Sequence, residues 1–282
     1  GKGISDLNRY YQYYQVITFD SLKTIRWYQG KLFYSFFYFL NLIGFNFKLL
    51  LFISVNLYFI SFAHLARIFL KTENIYIILI IYGTLLFWLN SSMGVALRQG
   101  FAMLLIALFL DVLFRKKSYM LKSLCIFLLI NTHFSAIILV PLVIFWSKVK
   151  KHIRLLNGLF LISLVLYVAE LWYFFSSEVL LFLTKRDIPI GALGVVNSDY
   201  KLGFSIYKMA AFLFPVVFYN ATKFFGYRHN SESLVLYVLF VYYSIVGMIF
   251  SGFPYHDRLF LYGWIFSPLL IASFFKIFLK EK

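Results

Sequence analysis

Apolar runs, broken by short charged clusters and by single polar residues, follow one another along the whole chain. Those near 47–69, 75–90, 94–114, 153–175, 204–221, 232–250 and 257–275 approach the roughly 20 residues a helix needs to cross a bilayer. They are continuously apolar rather than alternating, which predicts helices and argues against barrel strands. The run at 32–43 is about two-thirds of a span at roughly 1.5 Å per residue, and Gly44 and Asn46 interrupt it. It predicts a re-entrant or interfacial helix. Segment 119–146 carries Asn131, Thr132 and His133 at its midpoint and Pro141 beyond, and predicts a re-entrant or short helical hairpin. Residues 1–31 are polar and aromatic and predict a loop plus a short amphipathic helix on the outer membrane face. The longest polar loop is expected at 176–203.

Composition fixes the class. Of 282 residues, 62% are hydrophobic and 22% aromatic, with mean hydropathy +0.82. Soluble domains are about 45–50% apolar, so the expected fold is an all-α, polytopic transmembrane helical bundle. The whole of 1–282 reads as one integral membrane domain without internal repeats. The lone cysteine, Cys125, excludes an internal disulfide. The net charge of +16 comes from basic residues lying between the apolar runs. That pattern excludes nucleic-acid binding and fits basic loops held on the cytoplasmic side.

Charge also predicts topology. The basic groups around Arg67, Arg115, Lys148, Lys223 and Lys276 all face the cytoplasm only if 119–146 enters and leaves on the same side. Residues 1–46, 90–93, 176–203 and 251–258 then lie outside. The chain opens directly into a polar segment, and an outside N-terminus leads us to expect one further span before Gly1.

Arg98 and Gln99 stand inside the apolar stretch SSMGVALRQGFAMLLIALFL. A guanidinium stays charged, so it needs an anion, a carboxylate or helix carbonyls at that depth. Gln99 suits hydrogen bonding either to a sugar or to a neighbouring helix. His133, at the hairpin tip, suits general-base work near neutral pH or closes the hairpin as a buried polar residue. Tyr255, His256, Asp257 and Arg258 open the last span; the Asp–Arg pair suits either a phosphate site or an interfacial ion pair. Asp6 and Arg9, followed by Tyr10, Tyr11, Tyr13 and Tyr14, form a polar aromatic cluster that suits sugar binding or an ordinary interfacial belt. Asp199 and Tyr200 lie in the long loop, which either covers a site as a lid or is simply solvated. There is no phosphate-binding glycine loop, no metal-ligand spacing and no D-x-D arrangement for a metal–diphosphate.

GKGISDLNRYYQYY, the Arg-Gln span, NTHFSAIILVPL and HDRLFLYGW, taken in this order, resemble the Wzy-like, EpsG-type family of bacterial polysaccharide polymerases. The resemblance covers nearly the whole chain. It implies a glycosyltransferase of the bacterial cytoplasmic membrane, without cofactor or metal, that joins oligosaccharide repeat units carried on undecaprenyl diphosphate at the outer face. It points to Arg98, His133 and Asp257 for chemistry. Substrate binding would fall to Arg258, Gln99, Asp6, Arg9, His256, Asp199 and Tyr200. Membrane lipid and other polysaccharide-assembly proteins, such as a chain-length regulator, are the implied partners. A lipid-linked glycan ligase and a flippase of lipid-linked sugar are the competing readings. Few polar residues in the inner halves of the spans, beyond Asp111, weigh against the flippase.

Overall fold

The computed structural model describes residues 6–71, 74, 76–78, 80–82, 97–185, 202–224, 233–253 and 256–278. Among them every regular element is helical. Its contacts cluster into two compact units, 1–146 and 147–282.

The first unit begins with α1 (Asp6–Val16) and α2 (Phe19–Thr24). A 3-10 turn, Trp27–Gln29, leads into α3 (Lys31–Leu42). Residues 6–29 are therefore mostly helical, more than the loop plus one short helix that the sequence predicts. The reason lies in spacing: Tyr10, Tyr14 and Ile17 recur at helical intervals and are all buried. Tyr10 packs edge-on to Phe33, and Tyr14 to Phe37. Aromatic pairs of this kind contribute about 0.5–1.5 kcal/mol each beyond their buried area. An isolated helix as short as α1 (11 residues) is marginal in water, so these contacts hold it. The Tyr14 hydroxyl donates to the Phe45 carbonyl at 2.8 Å, and the Asn41 amide donates to the Tyr14 carbonyl at 2.7 Å.

The end of α3 falls where the sequence places it. Gly44 has φ +76. Its N–H donates to the Asn41 carbonyl, and that of Phe45 to the Leu40 carbonyl. This is the paired Schellman arrangement that terminates a helix on a left-handed residue. Asn46 then caps the next helix by accepting from the Lys48 N–H at 2.8 Å.

Two helices in this unit are long and apolar enough to cross a membrane: Phe47–Leu70, with 24 residues, and Leu97–Phe114, with 18. The first is α4 (Phe47–Leu65), continuing as a π-helical turn, Ala66–Leu70; the second is α5. They pack together, and α1 also meets α5. The Tyr58 hydroxyl on α4 donates to the Gly100 carbonyl on α5. Most of the expected span 75–90 lies outside the described residues.

Next comes α6 (Tyr119–Thr132), capped by Ser118. It packs on α3, α5 and the Trp27–Gln29 turn. The helix stops at His133, whose backbone is extended (φ −151, ψ 118). A 3-10 segment, Phe134–Ile138, and α7 (Leu139–Ile144) follow. The break predicted at the Asn-Thr-His midpoint is therefore present.

The short α8 (Trp146–Lys151) leads into the second unit, where α9 (Ile153–Val168) and α10 (Leu171–Lys185) meet at an 80° bend. The span expected at 153–175 is thus a broken span or a re-entrant pair, the third segment of membrane-spanning composition among the described residues. The first ten residues of the expected loop 176–203 belong to α10. Glu170, at the bend, takes a left-handed φ of +58, a conformation that ends one helix without continuing it. Helices α11 (Ile206–Phe224) and α12 (Ser233–Ile249) follow. The expected last span divides into α13 (Asp257–Trp264) and α14 (Ser267–Phe278). Helix α12 is the centre of this unit, packing on α9, α11, α13 and α14. The Tyr237 hydroxyl ties α9 to α11: it donates to Asn157 Oδ1 at 2.9 Å and accepts from Asn220 Nδ2 at 3.1 Å.

Candidate functional site

In the first unit the side chain of Arg98 is the meeting point of segments far apart in sequence. Its Nε–H donates to the Tyr10 hydroxyl at 2.8 Å, and Nη1 donates to the Gln29 carbonyl at 2.6 Å. The guanidinium carbon lies 5.5 Å from the Tyr34 ring centroid and 6.0 Å from that of Tyr10, the range of a cation–π contact. These contacts fix the direction in which the guanidinium points. The Arg9 guanidinium stands 5.7 Å from the same Tyr10 ring. Two cations therefore flank one phenol.

Local structure explains why Gln29 offers its carbonyl. The 3-10 turn is closed by the Gln29 side chain, which accepts from the Arg26 N–H at 2.9 Å. The turn ends on Gly30 at φ +88, which also starts α3. A Cβ at position 30 would lie 2.9 Å from the Thr132 carbonyl oxygen and 3.4 Å from both Cδ and Nη1 of Arg98. Gly30 thus fills the narrow space between the arginine and the end of α6, and only a residue without a side chain fits there.

His133 follows Thr132 directly. Its Nδ1 lies 2.6 Å from Ser135 Oγ. The Phe134 ring meets Trp27 of the 3-10 turn edge-on at 6.1 Å. The first unit therefore gathers Arg98, the end of α6 at Thr132 and Phe134 around one turn. Gln99 is buried beside Arg98, at 1% exposure. The side chain of Asp6 lies outside the described residues.

Tyr10, Tyr34 and the Gln29–Gly30 turn are the members that sequence reasoning passed over. Tyr10 stands in the cluster that suits sugar binding or an interfacial belt, and the sequence signal that it packs inward is the helical spacing of Tyr10, Tyr14 and Ile17; Tyr34 carries no such signal. Burial pushes the Tyr34 phenol above its ordinary range, while Arg98 pulls the other way. It therefore stays protonated at neutral pH.

In the second unit His256 is buried at 1% exposure. Its Nδ1 lies 3.0 Å from the Phe253 carbonyl and its Nε2 lies 2.9 Å from Lys208 Nζ. A carbonyl accepts only, so Nδ1 donates to it. Lys208, a residue the sequence reading did not single out, thus meets His256. Arg258 is half-buried on the first turn of α13. Asp257 begins that helix, but its side chain lies outside the described residues, as do Tyr255, Asp199 and Tyr200. Among the described residues no group of three or more His, Cys, Asp or Glu side chains gathers as metal ligands would.

Apolar helices, a permanently charged arginine held by a phenol and a backbone carbonyl, and a helix broken at a histidine beside that clasp define a polytopic helical membrane protein with a polar site. The chain belongs to the EpsG family, whose model matches residues 2–282. The Wzy-like resemblance seen in the motifs is borne out at the level of the family. Membership points to a glycosyltransferase-like polysaccharide polymerase. Neither a curated protein nor a solved structure matches the chain.

Proposed function

We propose that the protein is a polysaccharide polymerase that joins oligosaccharide repeat units carried on undecaprenyl diphosphate. It would act at the outer face of the bacterial cytoplasmic membrane, without metal or cofactor. The observation that carries this reading is the Arg98 clasp: a guanidinium held by Tyr10 and Gln29, with Arg9 across the same phenol and the His133 backbone beside the turn. Cations fixed in place before the reaction stabilise charge where it develops, without reorganisation.

In this mechanism Arg98 binds the diphosphate of the donor, and Arg258 is assigned to substrate binding. The acceptor hydroxyl oxygen attacks the anomeric carbon, the bond from that carbon to the diphosphate oxygen breaks, and its electron pair leaves on undecaprenyl diphosphate. His133 takes the hydroxyl proton; Asp257 is the other candidate base. If Nδ1–H of His133 donates to Ser135, Nε2 keeps the lone pair this step requires. Gln99, Asp6, Arg9, His256, Asp199 and Tyr200 are assigned to the sugars and the rim, and polysaccharide-assembly proteins of the same membrane to its partners.

Purified protein in nanodiscs, given one lipid-linked repeat unit, should produce a ladder of longer products. Arg98→Ala should insert and fold yet lower polymer yield by about 100-fold or more, the scale of removing one preorganised charge-stabilising donor. Wild-type yield in that variant would remove Arg98 from the mechanism. Transfer of a single unit to another acceptor would identify a ligase, and headgroup passage in liposomes without transfer would identify a flippase.

A further inference from the structure

The Tyr10 hydroxyl has a proton that the clasp does not use. Its oxygen accepts from Arg98 Nε–H at 2.8 Å. A phenol can also donate once, and no described residue accepts that proton. The residue is only 5% exposed, so bulk water does not readily serve in place of an acceptor. Its surroundings select the acceptor chemistry. Arg98 and Arg9 flank the ring at 6.0 and 5.7 Å. Its edge contact with Phe33, at 5.7 Å, fixes the ring plane and so the line along which the hydroxyl points. A donor between two cations suits an anionic oxygen, and a charge-assisted hydrogen bond there is stronger than one to a neutral group.

We propose that Tyr10 is an anion-binding residue whose O–H donates to a phosphate oxygen of the ligand held by Arg98. This rests on the reading of Arg98 as a diphosphate site. Tyr10 then has two tasks on one atom: its oxygen holds the guanidinium, and its proton contacts the phosphate. Accepting from Arg98 polarises the phenol and strengthens it as a donor. The phosphate would not be recognised by charge alone; a neutral donor of fixed direction would favour a tetrahedral oxyanion over a planar carboxylate.

The test measures binding of undecaprenyl diphosphate to the full-length protein in phosphatidylcholine nanodiscs. Arg98→Ala should abolish binding; if binding survives, the diphosphate reading and this inference fall together. Tyr10→Phe should weaken binding about tenfold, as expected for a hydrogen bond to a charged group. That variant also loosens Arg98, so a second replacement separates the tasks. A ring-fluorinated tyrosine at position 10 is a stronger donor and a poorer acceptor. If the O–H contacts phosphate, this protein binds more tightly than wild type below the pH at which the altered phenol ionises. Equal or weaker binding, with Arg98 still required, would overturn the donor role and leave the Arg98 site standing. Displacement by phosphatidylglycerol at matching concentration would assign the phosphate to bulk lipid. That result would keep the role of Tyr10 and overturn the choice of donor substrate.

Discussion

At the scale of single residues, the smallest side chain controls the most charged one. Gly30 has φ +88, where a residue with a Cβ costs about 1–2 kcal/mol more. The added methyl would also meet the Thr132 carbonyl at 2.9 Å, a backbone atom with little room to yield. Gly30→Ala should therefore lower the thermal midpoint of the detergent-solubilised protein. It should also reduce polymer yield in folded protein, because relief of the contact displaces either the Arg98 side chain or the end of α6. Unchanged midpoint and yield would show that the turn has slack. His133 differs in kind, since its part lies in proton transfer. His133→Ala should lower turnover by about 100-fold or more, the usual weight of a general base, while donor binding changes little. Loss of donor binding with turnover preserved would make His133 a ligand instead.

At the scale of elements, the apolar pattern revealed where helices lie better than where they bend. The end of α3 at Gly44 and the break at His133 were legible because a glycine and a polar triplet stand out against apolar sequence. The 80° bend between α9 and α10 was not, because its pivot, Glu170, lies in a run that otherwise reads as helix through Trp172 and beyond. The division of the last span was missed although Gly263 and Ser267-Pro268 mark it, because the apolar run continues across a helix end and a new first turn. Close approach replaces pattern in such places. Gly247 on α12 faces Phe260 on α13, and a Cβ there would run into the ring. Gly247→Ala should destabilise the protein by about 1–3 kcal/mol, the usual cost of overpacking. Thermal denaturation in detergent would show it, and an unaltered midpoint would mean that the ring can swing aside.

At the scale of the whole molecule, composition and charge were enough to name an all-helical membrane protein, and short motifs were enough to name its family. The candidate site was legible in part. Arg98 stood out because charge in an apolar run is conspicuous, and His133 because it interrupts one. Tyr10 and Tyr34 did not, since a tyrosine that holds an arginine and a tyrosine at a membrane surface are the same letter. The Gln29 carbonyl could not be found at all: a backbone acceptor has no signature in sequence beyond the turn that exposes it. In the second unit, Lys208 was passed over because the sequence gives no sign that it meets His256.

The clasp around Arg98 also bears on how the protein is made. Its two acceptors, the Tyr10 hydroxyl and the Gln29 carbonyl, precede it by 88 and 69 positions. They have therefore left the ribosome before the arginine is translated, because chains emerge and fold from the N-terminal end. A bare guanidinium entering hydrocarbon is costly; here the nascent chain arrives with the groups that receive it already waiting, so the order of synthesis itself eases the insertion of α5.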